Sequence, residues 1–159
     1  VFTKVGGIWR TSESETTKDT KLTDVHLRGF FGRWDFLLDH HNERALALYL
    51  DKNWRLNVTG APDGPQEVTA PIFVSQVRQG RGQTKLLEHR RDILSIKLDT
   101  KPNTAVVECR ETTSRRFKDR KITIVERTTD SIALRNETLL ILKSASKVEK
   151  FENVLAPKP

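Results

Sequence analysis

From Thr23 onward, apolar side chains recur at three- and four-residue steps: Leu27, Phe30, Phe31, Trp34, Leu37 and Leu38, with His41 in the same row. That spacing is one face of an amphipathic helix, and Thr23 or Thr20 can cap its start. Gly29 and Gly32 each weaken such a helix by ~1 kcal/mol relative to alanine, which predicts a close neighbour there. The row ends in Asp39-His40-His41-Asn42-Glu43, where two of the chain's four histidines lie between carboxylates. Asn42 is a good N-cap and Glu43 suits the positive end of a helix dipole. A second, short helix is therefore predicted from Glu43 to about Leu50. Successive helical residues point about 100° apart, so His40 and His41 do not converge on one metal ion. The stretch reads as the corner of a helix pair.

Beyond the corner the period falls to two. Trp54, Leu56 and Val58 alternate with polar residues over 53–60, the pattern of a half-buried strand. Residues 61–65 (APDGP) are turn chemistry. Thr69 then caps a short helix with Pro71 in its first turn, carrying Ile72, Phe73, Val74 and Val77 and ending near residues 80–82 (GRG). Four long strands rich in Thr, Val and Ile follow, over 86–98, 104–117, 121–134 and 138–151. Their short links demand antiparallel neighbours. Helices first and an antiparallel meander after them predict an α+β fold with the helices on one sheet face.

Residues 11–21 are polar and without period, so 1–21 is expected to be a flexible N-terminal segment. Ile8 and Trp9 are expected to form an apolar hook, and one domain is expected over 22–155. The chain has no methionine, so we expect its start residue or a leader to have been removed, or the chain to have been trimmed. A soluble protein is expected, cytoplasmic or exported, with no membrane partner. The single cysteine, Cys109, allows no internal disulfide. It sits mid-strand after Val107, where a buried small apolar residue is the simplest reading.

A net charge of +7 favours anionic partners in general, yet the basic residues interleave with Glu and Asp. The densest clusters are Arg90-Arg91, Arg115-Arg116 and 118–121. No stacking aromatic motif or basic helix accompanies them, so nucleic acid is not the favoured partner; weak binding of nucleic acid or anions by the basic strands is kept as a second alternative. No zinc-protease, phosphate-loop or dinucleotide motif is present. We therefore expect no metal site and no cofactor.

The order of elements, with the helix pair at FGRWDFLLDHHNERALALYLDKNWRLNVTG and the strand at NTAVVEC, resembles the NTF2-like superfamily across about residues 22–151. That group includes SnoaL-like cyclases, ketosteroid isomerases and scytalone dehydratases. The resemblance implies a bent antiparallel sheet wrapped as a cone around the long helix, a pocket at its open end, and pairing into homodimers. The isomerase tyrosine and aspartate correspond here to Trp34 and about Val58, neither of which does their chemistry. In such a cone Trp34, Tyr49 and Trp54 are expected at the pocket, contacting a small apolar or anionic ligand, with Arg110 or Arg127 as an anion clamp and Glu126 beside them. If His89 faces the interior it is the best acid–base candidate, since its ordinary pKa lies near neutrality; Glu88, Asp92, Glu108 and Asp130 are the other strand candidates. The expected role is a non-catalytic module binding a small molecule or a protein. The alternative is a SnoaL-like enzyme, and the discriminating observation is an acid or histidine inside a closed pocket beside a second polar group.

Overall fold

The computed structural model describes residues 2–5, 8–11, 21–99 and 101–156. Strands β1 (Phe2–Val5) and β2 (Ile8–Thr11) pair antiparallel, Phe2 opposite Thr11. Residues 12–20 of the expected flexible segment lie outside the described residues, as does the hook expected of the Ile8 and Trp9 side chains.

Helix α1 (Asp24–Asp39) starts where the Thr23 hydroxyl accepts the His26 N–H, 3.3 Å away. It buries Leu27, Phe30, Phe31, Trp34 and Leu37. Gly29 and Gly32 face outward, and a Cβ on either would meet nothing within 4 Å, so the close packing expected there is not found. The helix stops at His41, whose φ of +51° turns the chain out of helical geometry. The His41 N–H donates to the Leu38 carbonyl at 3.1 Å and the Asn42 N–H to that of Leu37 at 2.9 Å, a paired closure of a helix C-terminus. The Asn42 side chain then accepts the Ala45 N–H at 3.2 Å and opens α2 (Glu43–Ala47). The expected corner is thus built from His40, His41 and Asn42. Helix α2 ends before Leu50 because the sheet takes over its hydrogen bonds. Ile141 donates to the Tyr49 carbonyl at 2.8 Å and accepts from the Asp51 N–H at 2.9 Å.

Strand β3 (Arg55–Thr59), strand β4 (Gln66–Thr69) and helix α3 (Ala70–Gly80) come next. Strand β4 was not legible, because four residues beside a turn are too few to show a period. Thr69 is the N-cap of α3 by position, without a side-chain bond. Strands β5 (Lys85–Asp99), β6 (Thr104–Phe117), β7 (Arg120–Arg135) and β8 (Thr138–Leu155) form the antiparallel meander. The six-stranded sheet runs β4-β3-β8-β7-β6-β5. It is mixed rather than wholly antiparallel, since β3 pairs with β8 in parallel. At the end of that seam Gly60 has φ +74°, and a Cβ there would lie 2.6 Å from the Val148 carbonyl oxygen. Only glycine fits.

The register slips at Leu87 and Leu94 in β5, and at Leu142 and Glu149 in β8. Each extra residue bends its strand and increases the local twist. The sheet therefore curls around α1 as a cone. Its apolar end is closed by Leu27, Phe31, Leu46, Val107, Cys109, Ile132 and Ile141, all nearly or wholly buried. Burial pushes the Cys109 thiol up to about 11, so it packs as an uncharged residue. Among the described residues no helix is long and apolar enough to cross a membrane.

Loss of the α2 cap gives a first test. Asn42→Ala is expected to lower stability by about 1 kcal/mol, read as a shift of the urea midpoint with unchanged slope.

Candidate functional site

Alternation along a strand sends every second side chain to one face. On the inward face of β5 to β8 this brings together His89 and Arg91, then Glu111, then Glu126, Thr128 and Asp130, then Ser144 and Ser146. Toward the other end the same rows continue as Val107, Cys109, Ile132 and Ile141. Helix α1 lies along this gradient. Leu22, just before it, donates its N–H to Asn103, whereas its last turns place Asp35 and Asp39 over β5.

The polar half divides into two groups. In the first, Arg91 donates from Nη1 to Glu111 Oε1 at 2.6 Å and from Nε and Nη2 to Asp35 Oδ1, both at 2.9 Å. Its side chain is 5% exposed, and its guanidinium lies 4.8 Å from the centre of the Phe31 ring. Burial works against its charge, but Glu111 and Asp35 outweigh that and keep it a cation. Burial also opposes ionisation of Glu111, yet His89 and Arg91 hold it below the usual carboxylate range. Asp35 lies above that range because burial exceeds the help from Arg91. His89 donates from Nδ1 to Asp39 Oδ1 at 2.6 Å. The Glu111 carboxylate raises the His89 pKa most, burial opposes, and Asp35 and Asp39 add to the rise.

In the second group, Ser144 donates to Asp130 Oδ1 at 2.5 Å and accepts from the Trp54 indole N–H at 3.0 Å. Ser146 donates to Glu126 Oε2. Burial pushes Asp130 up to about 6 against the Ser144 bond, and pushes Glu126 up against the bond from Ser146. Glu126 stands directly opposite Glu111 across β6 and β7, a like-charge placement that penalises ionising both. Glu111 takes the charge because Arg91 is beside it.

Between the groups lies a cavity of about 120 Å³. Its polar wall is Arg91, Glu111, Glu126, Thr128, Asp130, Ser144 and Ser146. Its apolar wall is Trp34, Leu38, Trp54, Leu56, Phe73 and Ile141.

A curled mixed sheet around one long helix is also the form of known structures. An NTF2-like protein from Cytophaga hutchinsonii superposes with a TM-score of 0.64 at 11% identity, covering 80% of this chain and 99% of that one. The chain has the NTF2-like fold. A hexachlorocyclohexane dehydrochlorinase matches with TM-score 0.61 at 10% identity over 84% of this chain and 89% of its own. A proposed scytalone dehydratase from Novosphingobium aromaticivorans matches with TM-score 0.61 at 12% identity over 84% of this chain and 90% of its own. No family model and no curated protein matches the chain.

Within the NTF2-like cone, the residues expected at the pocket separate. Trp34 and Trp54 both line the cavity and are joined through Phe73, whose ring centre is 5.8 Å from that of Trp34 and 5.4 Å from that of Trp54. Glu126 lines it too. Tyr49 does not: it packs edge-on against Phe30 at 5.4 Å and lines a separate groove with His26, Arg33 and Leu139. Arg110 is on the outer sheet face, paired with Glu149 at 3.2 Å, and Arg127 pairs there with Glu108 and Glu149. Neither clamps anything in the cavity. His89 faces the interior and is 4% exposed, but it sits behind Arg91 and Glu111 rather than on the cavity wall. Asp35, Asp39, Arg91, Glu111 and the two serines were missed as site residues. The signal for them was period two: His89-x-Arg91 and Glu126-x-Thr128-x-Asp130 put polar residues on the same face as Ile93 and Ile132.

Two measurements follow from this charge distribution. Arg91→Ala leaves Asp35 and Glu111 buried without their cation, so a loss of about 3–5 kcal/mol is expected in chemical unfolding. Asp130 has the opposite sign. Its folded pKa of about 6 exceeds the ordinary 3.8, so its contribution is present below pH 3.8 and is lost as pH rises to about 6. That shift is worth about 3 kcal/mol at neutral pH. Asp130→Asn is therefore expected to raise stability at pH 7.5 and to flatten the fall in stability across that window; equal pH profiles for variant and parent would refute it.

Proposed function

We propose that the cone cavity binds a small neutral or cationic molecule and exchanges a proton with it through Asp130. One observation carries this reading: a buried carboxyl, held near neutrality, lines a cavity beside a second carboxyl and two serine hydroxyls. A general acid or base works best with a pKa near the working pH, and burial supplies that here. Ser144 orients one carboxyl oxygen, and Trp54 orients Ser144. The aromatic wall of Trp34, Phe73 and Trp54 excludes water and offers flat apolar contact.

Size and charge narrow the ligand. About 120 Å³ is roughly the liquid share of four water molecules, so the bound group has only a handful of non-hydrogen atoms, or is the end of a longer molecule. Three carboxyls on the wall face a single guanidinium, which disfavours an anion and favours hydrogen-bond donors. Two structural neighbours carry the names dehydrochlorinase and dehydratase. Both names denote eliminations, in which a base removes a proton, and an acid–base pocket in this chain is suited to that class of step.

Trp34 and Trp54 provide the readout. Small amides, amines and alcohols are expected to change tryptophan fluorescence saturably, whereas carboxylates of the same size do not. Trp34→Ala is expected to weaken binding by more than ~1 kcal/mol, about fivefold or more, as for a buried aromatic contact. Asp130→Asn is expected to keep binding but to stop proton exchange between a bound carbon acid and D2O. Tighter binding of carboxylates, or a silent response to every neutral and cationic compound, would defeat the reading.

A further inference from the structure

We infer that Asp35, His89 and Glu111 form a binding site for a divalent transition-metal cation of the Zn2+ type, between the last turns of α1 and strands β5 and β6. Their ligand atoms all lie within 4.8 Å of one another. His89 Nε2 is 3.7 Å from Asp35 Oδ1 and 3.7 Å from Glu111 Oε2. Those separations exceed hydrogen-bond length, and Nε2 has no hydrogen-bond partner although the side chain is 4% exposed. A buried ring nitrogen without a partner is rare, and here it is aimed between two carboxylate oxygens. Two ligands on one ion at bond lengths of 2.0–2.2 Å stand about 3.4 Å apart at the tetrahedral angle. The two edges from His89 are within a few tenths of an ångström of that value, and the third is no longer than 4.8 Å.

The surroundings fit the same reading. Asp39 accepts from Nδ1 at 2.6 Å, which turns Nε2 toward the gap; an ion there would displace the Nε2 proton that the surrounding carboxylates favour, and a carboxylate behind the ring is the usual partner of a metal-bound histidine. Arg91 holds Glu111 by its other oxygen and fixes Asp35, so both carboxylates are oriented before an ion arrives. Three carboxylates against one guanidinium leave two negative charges when His89 is neutral, and one divalent ion cancels them. Asp35 and Asp39 are 21% and 25% exposed, which gives an ion a way in along the edge of α1. One imidazole with two carboxylates suits Zn2+, Mn2+ or Fe2+ better than Mg2+, which retains its waters. Glu111 also lines the cavity, so the ion would sit at its wall.

The test uses the full chain, stripped with a chelator and titrated with Zn2+ alone by calorimetry. One ion per chain and a rise in Tm are expected, with no rise at the same concentration of Mg2+. His89→Ala and Glu111→Gln are expected to weaken binding more than tenfold, and Asp39→Asn about tenfold with unchanged stoichiometry. Replacing His26, His40 and His41 together by Gln should change nothing. X-ray absorption of the wild-type Zn2+ complex decides the matter even if a variant unfolds: a single nitrogen with oxygens supports the site. Two or more histidine nitrogens, a sulfur ligand, absence of stoichiometric Zn2+ binding, or full binding by folded His89→Ala would overturn it.

Discussion

The Arg91 guanidinium is the interaction on which the polar half of this fold depends. It is 5% exposed and bonds Asp35 on α1 and Glu111 on β6 from its own place on β5. The last turns of α1 carry Asp35 and Asp39 beside Trp34 and Leu37, and the strand face they meet carries Glu111. Arg91 turns what would be repulsion between helix and sheet into attachment. Such a network is expensive in desolvation, and apolar residues of the same volume would hold the elements together at least as well. Its presence therefore needs a reason other than stability.

The same cation divides the inward face. Glu111 and Glu126 stand opposite each other, and only one of them has Arg91 within reach. The charge collects on the β5–β6 side, with Asp35, Asp39 and His89. On the β7–β8 side burial drives Glu126 and Asp130 toward their protonated forms, each held by a serine. The bulges at Leu87, Leu94, Leu142 and Glu149 make this division a matter of three dimensions. They bend the outer strands of the meander inward, so the two sides face each other across a hollow instead of lying on a flat sheet.

Much of this architecture was legible from spacing. The three- and four-residue row of α1, the cap chemistry of Asn42 and the long alternating strands each depend on neighbours close in sequence, and local rules capture them. The parallel seam between β3 and β8 depends on residues about 90 apart, and no local signal marks it. At the cavity, Trp34, Trp54 and Glu126 could be named from their rows, although core packing is an equal reading of the tryptophans, which also belong to the apolar core. Arg110 was misplaced by a single residue's parity: it neighbours Cys109 and Glu111, both inward, and so must point out. The pairing of Asp39 with His89 joins a helix corner to a strand 50 residues on. The corner was recognised, but its acid has no local clue to that partner.

Cys109 and Asp130 are both buried acids of this cone, and their surroundings differ. Both are buried, and burial raises the pKa of both. Cys109 is enclosed by the apolar end and does not line the cavity. Its shift only keeps it neutral, as any packed thiol would be. Asp130 lies opposite Val107 across β6 and β7 but on the cavity wall, and its shift stops near neutrality because Ser144 supports the ionised form while burial opposes it. An aspartate kept only for packing would be improved by removing its charge altogether. Here the charge is balanced against its loss at a position open to a small ligand, and the Trp54–Ser144–Asp130 chain of donors fixes the direction in which the carboxyl points. That balance costs stability at neutral pH, whereas on the other side Arg91 joins α1 to β5 and β6.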